Sequence, residues 1–470
     1  MSKLTDFYDY IAGKTAAVVG IGISNTPLVD FLLAHGAIVS ARDIKPREKL
    51  GALADELEAK GVKLILGEDY LEGIDEEIIF KAPGIRCDLP QFEAAVGRGS
   101  RLTSEMELFF ELCPCKIFAV TGSDGKTTTT TLTYTMLRRE LEKVGSRAKV
   151  HVGGNIGKPL LPEIESISAD DYAVLELSSF QLHTMKQSPY AAAITNVTPN
   201  HLNWHTDMEE YTRSKENIFL HPGNRRLVLN WGNDITRDMW SLTDSDITYF
   251  SAKSEPGLDH ASAAIFDRGG IIVRKTASGV EEILPIGDIR LPGRHNVENY
   301  MTAIALTWGY VSTDTIIETA REFGGVEHRC ELVRELDRVK YYNSSIDSSP
   351  TRTEAALRSF SQKVIVICGG YDKHIPYEPL AKPLIDCAKT VVLVGATAPK
   401  IKDALLSSPD YNGSPSLIEA DSFENAVNAA RAAAKPGDIV ILSPASASFD
   451  MFKNFEERGN YFKKLVNSFR

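Results

Sequence analysis

Short apolar runs that end in glycine or a polar residue, separated by stretches of helical spacing, recur along the chain. The first is TAAVVG at 15–20. TPLVDFLLAHG follows at 26–36, with Pro27 near its start and Gly36 at its end. Proline in a first turn and glycine just past a last one are start and stop signals of a helix. IVSARD at 38–43, KLILG at 63–67 and EIIFKAPG at 77–84 continue the alternation. Strand, helix and strand in that order predict a parallel sheet. A second series opens with KIFAVTG at 116–122 and a helix predicted over about 126–142, then YAVLELS at 172–178 and AAITNV at 192–197. RRLVLN, ITYFS and IIVRK lie closer together and predict extra strands before Leu291. A third series, KVIVICGG, TVVLVG and DIVILSP with helical stretches between, reads as a small doubly wound sheet. The chain is therefore predicted to be α/β throughout. Its 470 residues suit about three domains, with boundaries predicted near Ser104 and Gly325.

Composition changes this picture little. Hydrophobic residues make up 43% and charged residues 24%, as in ordinary globular proteins. The net charge of -11 argues against a nucleic-acid partner, although a local basic pocket is compatible with an acidic whole. No apolar run reaches bilayer length, and MSKLTDFYDY lacks the apolar core of a signal peptide, so a cytoplasmic protein without a membrane partner is expected. The six cysteines are scattered. Cys113 and Cys115, separated by one proline, have neither a zinc nor a thioredoxin spacing, and free thiols are expected.

The chemistry starts at TGSDGKTTT, 121–129. Gly122, Ser123, Asp124, Gly125, Lys126 and Thr127 follow a predicted strand and precede a predicted helix. Glycines let backbone N–H groups face a phosphate, and the helix N-terminus adds its dipole. Lys126 can reach the β- and γ-phosphates, and the Thr127 hydroxyl can bind Mg²⁺. Val120 stands six residues before Lys126 where a full Walker A sequence has glycine, so the loop is a shortened one. Glu176 ends the run YAVLE, where a carboxylate can hold Mg²⁺ opposite a phosphate loop. His201 and His205 are four apart, which on a helix would suit zinc, but no third ligand is evident. Near the N-terminus, Gly20, Gly22 and Asn25 form GxGxxN, with Asp43 about 20 residues on. Alone this is a weak dinucleotide signal or a tight βα turn.

The loop, with HVGGNIG at 151–157, ELSSFQL at 176–182, NVTPNHLNWH at 196–205, LPGRHNVEN at 291–299 and SPASASFDMFKNFEERG at 443–459, resembles the Mur ligase family in order and spacing over nearly the whole chain. The loop is also similar to that of the related folylpolyglutamate synthases. The resemblance implies an N-terminal Rossmann-like domain (1–104) for a UDP precursor, a central P-loop ATPase-type mixed-sheet domain (105–325) for ATP, and a C-terminal Rossmann-like domain (326–470) for an amino acid. It implies a monomer that joins D-glutamate to UDP-N-acetylmuramoyl-L-alanine through an acyl phosphate, using ATP and two Mg²⁺ ions.

Residue by residue, the resemblance makes Lys126, Glu176, His201 and Lys215 catalytic, with Thr127, Glu176, His201 and Lys215 as metal ligands and Lys215 carbamylated. Gly122 to Thr127, Thr128, Asn155, Asn296, Asn299 and Arg329 would bind ATP. Gly22, Ile23, Ser24, Asp43, Lys45, Pro83 and Gly84 would receive the UDP precursor. Ser348, Lys373, Ser448, Phe449 and Phe455 would surround the amino acid. Two departures stand out. The family commonly has Asn-Asp-Ser-Lys-Ala-Thr where this chain has Asn343-Ser344-Ser345-Ile346-Asp347-Ser348, and Asn200 replaces an aspartate before the metal-site histidine. The first opens two alternatives: a related ligase using another amino acid or acceptor, and a nucleotide-binding regulatory protein without turnover. A nicotinamide dehydrogenase would leave the second glycine loop unexplained.

Overall fold

The computed structural model describes residues 3–22 and 25–470. Three sheets follow one another along the chain. The chain divides into two compact units, Met1–Ile286 with Glu298–Thr319, and Gly287–Val297 with Ala320–Arg470. The first unit contains two of the sheets and the second unit the third.

Five parallel strands, Thr15–Val19 (β1), Ile38–Asp43 (β2), Lys63–Leu66 (β3), Ile78–Lys81 (β4) and Arg101–Thr103 (β5), form the first sheet in the order β3-β2-β1-β4-β5. The strand order reverses at β1, so β1 and β4 open a crevice at their C-terminal ends, the usual ligand position in doubly wound sheets. Gly20 ends β1 there with φ +87°, and a Cβ on it would lie 2.7 Å from the Cβ of Ala82. Only glycine lets the two strand ends approach this closely.

The second sheet has nine strands: Lys116–Thr121 (β6), Val150–Gly154 (β7), Tyr172–Glu176 (β8), Ala191–Ile194 (β9), Arg226–Asn230 (β10), Asp246–Ser251 (β11), Ala263–Arg268 (β12), Ile271–Thr276 (β13) and Gly279–Pro285 (β14). Their order is β14-β13-β12-β11-β10-β9-β6-β8-β7, parallel from β7 to β12 and antiparallel in the β12–β13–β14 meander. Register decides what meets at one edge. Glu176 pairs with Val120 on one side and Gly154 on the other, and Thr121 pairs with Ile194. The strands β6, β7, β8 and β9 therefore release their following loops side by side. A continuous apolar core, including Phe31, Phe109, Ile117 and Leu160, runs beneath both sheets of this unit.

In the second unit, Glu331–Leu336 (β15), Val339–Asn343 (β16), Val364–Cys368 (β17), Ala388–Leu393 (β18), Ser416–Glu419 (β19) and Ile439–Leu442 (β20) form the third sheet. The order is β15-β16-β20-β17-β18-β19, parallel except for the β15–β16 hairpin. The three apolar runs anticipated in this region are β17, β18 and β20. The hairpin was not anticipated, because its residues, ELVREL and VKYYN, carry charge between their apolar positions. Among the described residues, no helix is long and apolar enough to cross a membrane.

Candidate active site

The phosphate loop leaves β6 and enters an 18-residue helix, Lys126–Lys143, which starts at the residue expected. Gly122 has φ +145° and Gly125 φ +79°, and each is hemmed in. A Cβ on Gly122 would meet Thr195 Oγ1 at 1.9 Å, and one on Gly125 would meet Asn299 Oδ1 at 2.4 Å. A side chain at either position would displace the loop. Asn196 clamps the loop from β9, its carbonyl accepting from Ser123 N–H (2.8 Å) and its Oδ1 from Asp124 N–H (3.0 Å). Thr195 Oγ1 donates to the Asp124 carbonyl at 2.5 Å. Asn196 lies in the NVTPNHLNWH segment, where no local signal marks it as a clamp on the loop. Lys126 Nζ donates to the Gly122 (3.0 Å) and Ser123 (2.9 Å) carbonyls, folded over the loop. Thr127 and Thr128 lie half-buried in the first turn.

Beside this loop stands Glu176, 2% exposed. Its Oε1 accepts from Asn155 Nδ2 at 2.8 Å, and its backbone carbonyl accepts from Asn155 N–H at 2.8 Å. Its Oε2 is buried with no hydrogen-bond partner among the described residues. A buried polar oxygen without a partner is costly. A hard cation at Glu176 would satisfy it, since Mg²⁺ takes oxygen ligands, and the Thr127 hydroxyl is a second ligand the resemblance implies. The residues present thus fit the expected metal.

Lys215 is 1% exposed, whereas a lysine in YTRSKENIF would ordinarily be a solvated helix residue. Its Nζ donates to the Gly122 carbonyl at 2.9 Å and lies 4.5 Å from the centroid of the Tyr211 ring. Burial, and then the nearby charge of Lys126, hold its amine well below the ordinary lysine value. A neutral amine is what reaction with CO₂ requires, and a carbamate would add oxygen ligands to the site. Tyr211, one turn earlier on the same helix, was not singled out from sequence. Its hydroxyl lies 2.9 Å from Ser123 Oγ, which also accepts from Thr198 N–H at 2.9 Å.

His201 sits in a turn with φ +55°, not on a helix, which removes the geometry of an HxxxH zinc pair. Burial, then Lys126 and Lys215, hold its imidazole below the usual value, so it is neutral and able to ligate at pH 7. His205 faces elsewhere. It is 2% exposed, 3.0 Å from Ser179 Oγ, and burial pushes it down to about 4. Around it, Arg86 joins the loop after β4 to the segment after β9. Arg86 Nη2 pairs with Glu210 Oε1 at 2.8 Å, Nη1 donates to the Trp204 carbonyl at 2.8 Å, and the guanidinium lies 5.0 Å from the Trp204 ring centroid. Trp204 Nε1 in turn donates to the Gly84 carbonyl at 2.8 Å.

At the GxGxxN turn, both Asp43 oxygens are engaged by backbone: Oδ2 accepts from Ile21 N–H (2.7 Å) and Oδ1 from Lys45 N–H (2.8 Å). Asn25 closes the same turn, donating to the Val19 and Gly20 carbonyls at 3.2 and 2.9 Å. Asp43 thus shapes the crevice that Gly22, the exposed Lys45 and Pro83-Gly84 border. Ile23 and Ser24 lie outside the described residues.

In the second unit, Arg329 follows His328, and its Nε is buried with no partner among the described residues. Asn296 donates to the Pro292 carbonyl at 2.6 Å within this unit, while Asn299 belongs to the first unit, where its Oδ1 accepts from Thr129 Oγ1 at 3.2 Å. The Asn343–Ser348 tract runs through the core. Arg458, fully buried, donates to Ser345 Oγ (3.0 Å), the Ser345 carbonyl (2.8 Å) and the Ser446 and Ala447 carbonyls (3.1 and 3.0 Å). Sequence reasoning left this buried cation unremarked. Asp347 is 5% exposed and accepts from Ser443 Oγ at 2.8 Å; burial pushes it up to about 6 against Arg329 and Arg352. Ser348 and Ile346 are half-buried, and Lys373 is exposed in the loop after β17. Ser448 is buried, whereas Phe449 is 60% exposed and packs edge-on against Tyr371, with ring centroids 5.8 Å apart. Phe455 opens the last helix, and its carbonyl accepts from Ser345 Oγ at 2.8 Å.

Comparison with known proteins places this geometry. Residues 120–307 match the family described as Mur ligase middle domain, and residues 328–446 the one described as Mur ligase, glutamate ligase domain. The chain is 49% identical to the UDP-N-acetylmuramoylalanine--D-glutamate ligase of Acetivibrio thermocellus, covering 99% of each chain. It is 47% identical to the protein of that name from Ruminiclostridium cellulolyticum, covering 100% of each. Among solved structures, the UDP-N-acetylmuramate-alanine ligase of Thermotoga maritima matches with a TM-score of 0.57 at 18% identity, over 97% of this chain and 99% of that one. A pseudomurein peptide ligase from Methanothermus fervidus matches with a TM-score of 0.51 at 17% identity, over 97% and 100%.

Proposed function

The chain belongs to the Mur ligase family, and from that premise we propose that it joins D-glutamate to UDP-N-acetylmuramoyl-L-alanine at the expense of ATP, in the cytoplasm and as a monomer. The observation that carries the chemistry is the meeting of Lys126, Glu176 and Lys215 around one glycine loop, which strand register holds together.

The alanyl carboxylate attacks the γ-phosphorus of ATP, and ADP leaves with the electrons of the broken P–O bond. The amine of D-glutamate then attacks the resulting acyl phosphate, and inorganic phosphate leaves from the tetrahedral intermediate. Little covalent work falls to the protein; positioning and charge neutralisation do most of it. Lys126 moves from the loop carbonyls onto the triphosphate oxygens. The Lys126–Lys143 helix directs its N-terminal dipole at the same place. Thr127, Glu176, His201 and a carbamylated Lys215 would hold two Mg²⁺ ions, which when bound neutralise charge on the transferred phosphoryl group. Asn155 orients Glu176 through its two contacts.

The UDP end is assigned to the crevice at β1 and β4, bordered by Gly22, Lys45 and Pro83-Gly84 and shaped by Asp43. Asn296 and Asn299 are assigned to the adenine and Arg329 to the ATP phosphates. Lys373, Ser348 and Ser448, with Phe449 and Phe455, are assigned to the amino acid. With Ile346 where the family commonly has lysine, Lys373 is left as the cation of this set for the glutamate carboxylates.

A phosphate-release assay with UDP-N-acetylmuramoyl-L-alanine and a panel of amino acids tests the reading. Turnover with D-glutamate above all others is expected. Turnover only with a folate, or only with a longer UDP-peptide, overturns it.

A further inference from the structure

Outside the ligase site, two thiols face each other where the first sheet hands the chain to the second. The helix Glu105–Leu112 ends at Cys113, and β6, which carries the phosphate loop, begins at Lys116. Between them lies Cys113-Pro114-Cys115. The two sulfurs are 3.5 Å apart and share a hydrogen bond. A disulfide needs about 2.05 Å, so a small side-chain movement closes the gap. Only one residue intervenes, and proline fixes its φ, so little chain entropy opposes the encounter. Cys113 is half-buried beside the exposed Pro114 and can be reached from solvent, whereas Cys115 is 9% exposed.

The other four cysteines offer no such pair. Cys330 lies 3.7 Å from Ser344 Oγ, and burial pushes its thiol up to about 12. Burial also raises Cys87, Cys368 and Cys387. Cys113 alone is drawn down, chiefly by the hydrogen bond from Cys115, whose own thiol is pushed up in return. A thiolate steadied by a neighbouring S–H is the usual attacking group in dithiol chemistry.

We propose that Cys113 and Cys115 form a dithiol site that low-molecular-weight disulfides oxidise to an internal disulfide, with Cys113 the attacking sulfur and Cys115 the resolving one. The Cys113 thiolate attacks one sulfur of the external disulfide, forming a mixed disulfide and releasing one thiolate. Cys115 gives its proton to that thiolate and attacks Cys113 Sγ, expelling the second. Two protein thiols are oxidised and one external disulfide is reduced to two thiols, so atoms and electrons balance.

The test uses the full-length, fully reduced protein and glutathione disulfide. After acid quenching and alkylation, the tryptic peptide 102–116 reports both sulfurs, since it contains no other cysteine. In the wild type this peptide should lose two hydrogens with no lasting glutathione adduct, and dithiothreitol should restore both thiols. C115A should trap glutathione on Cys113, and C113A should slow any modification of the peptide at least about tenfold. The proposal fails if the wild-type peptide stays doubly alkylated, if a glutathione adduct persists on it, or if C113A reacts as fast as the wild type. The wild-type result needs no variant to fold, and it is independent of the ligase assay.

Discussion

Lys215 donates to the backbone carbonyl of Gly122 at 2.9 Å, across 93 residues of sequence, so a buried amine is built into the wall of the phosphate loop. The loop's own lysine, Lys126, binds the same carbonyl at 3.0 Å. Burial, and then repulsion from the second amine on that carbonyl, hold the buried one well below the ordinary lysine value.

Lys215 should therefore matter for activity without stabilising the unliganded fold. K215M should retain a melting temperature near wild type and, with bicarbonate present, turn over at least ~10²-fold more slowly than wild type. Bicarbonate should raise the activity of the wild type and leave K215M unchanged, with the carbamate visible by intact mass under non-acidic conditions. Because the native amine binds its proton less readily than the unfolded one, wild-type stability relative to K215M should rise with pH toward the ordinary lysine value of 10.5. A flat difference in denaturation midpoints would contradict the buried neutral amine.

Glu176 should set the metal requirement. E176Q keeps the shape and the contact with Asn155 but replaces the Oε2 acceptor, which has no partner among the described residues, with an amide N–H donor. The Mg²⁺ concentration giving half-maximal turnover is expected to rise at least about tenfold, with kcat down ~10². K126A should cost more, about 10³, at any Mg²⁺ concentration. Magnesium titrations of phosphate release separate the two effects.

Arg86 holds the loop after β4 against Trp204 and Glu210. R86A should raise KM for the UDP precursor about fivefold to tenfold through loss of a charge-assisted contact of about 1–1.5 kcal/mol, with kcat changed less than about threefold. Glu210, held down to about 2 chiefly by Arg86, contributes stability that is present above its ordinary value of 4.5 and lost as pH falls through about 2. Acid denaturation of R86A should show a weaker dependence over that window.

Asp347 carries the opposite sign. Burial raises it from 3.8 to about 6, so the native chain holds a proton there that the unfolded chain releases first, and stability falls as pH rises from 3.8 through about 6. D347N, still able to accept from Ser443, should lack this loss and be more stable at pH 7 by up to about 3 kcal/mol. Chemical denaturation at pH 4 and pH 7 reads the difference. Equal stability at both would mean that Arg329 and Arg352 offset the burial fully.

By itself the sequence determined the parts whose signals are local. Alternating apolar runs and helical spacings identified most of the parallel strands of the three sheets; the short or polar β5, β7, β12, β16 and β19 carry no such run and were missed. Gly122, Gly125 and Lys126 declared a phosphate loop, because glycine conformation and a helix start depend on neighbouring residues. Tertiary structure decided what depends on distant partners. The burial of Lys215 follows from Gly122, the orientation of Ser123 from Tyr211 88 residues away, and the role of Asp43 as a turn brace from Ile21 and Lys45. The β15–β16 hairpin and the Arg458 clamp were illegible for the same reason. A charged residue reads as solvated until the surfaces that desolvate it are known, and those surfaces come from chain segments that only the fold brings together.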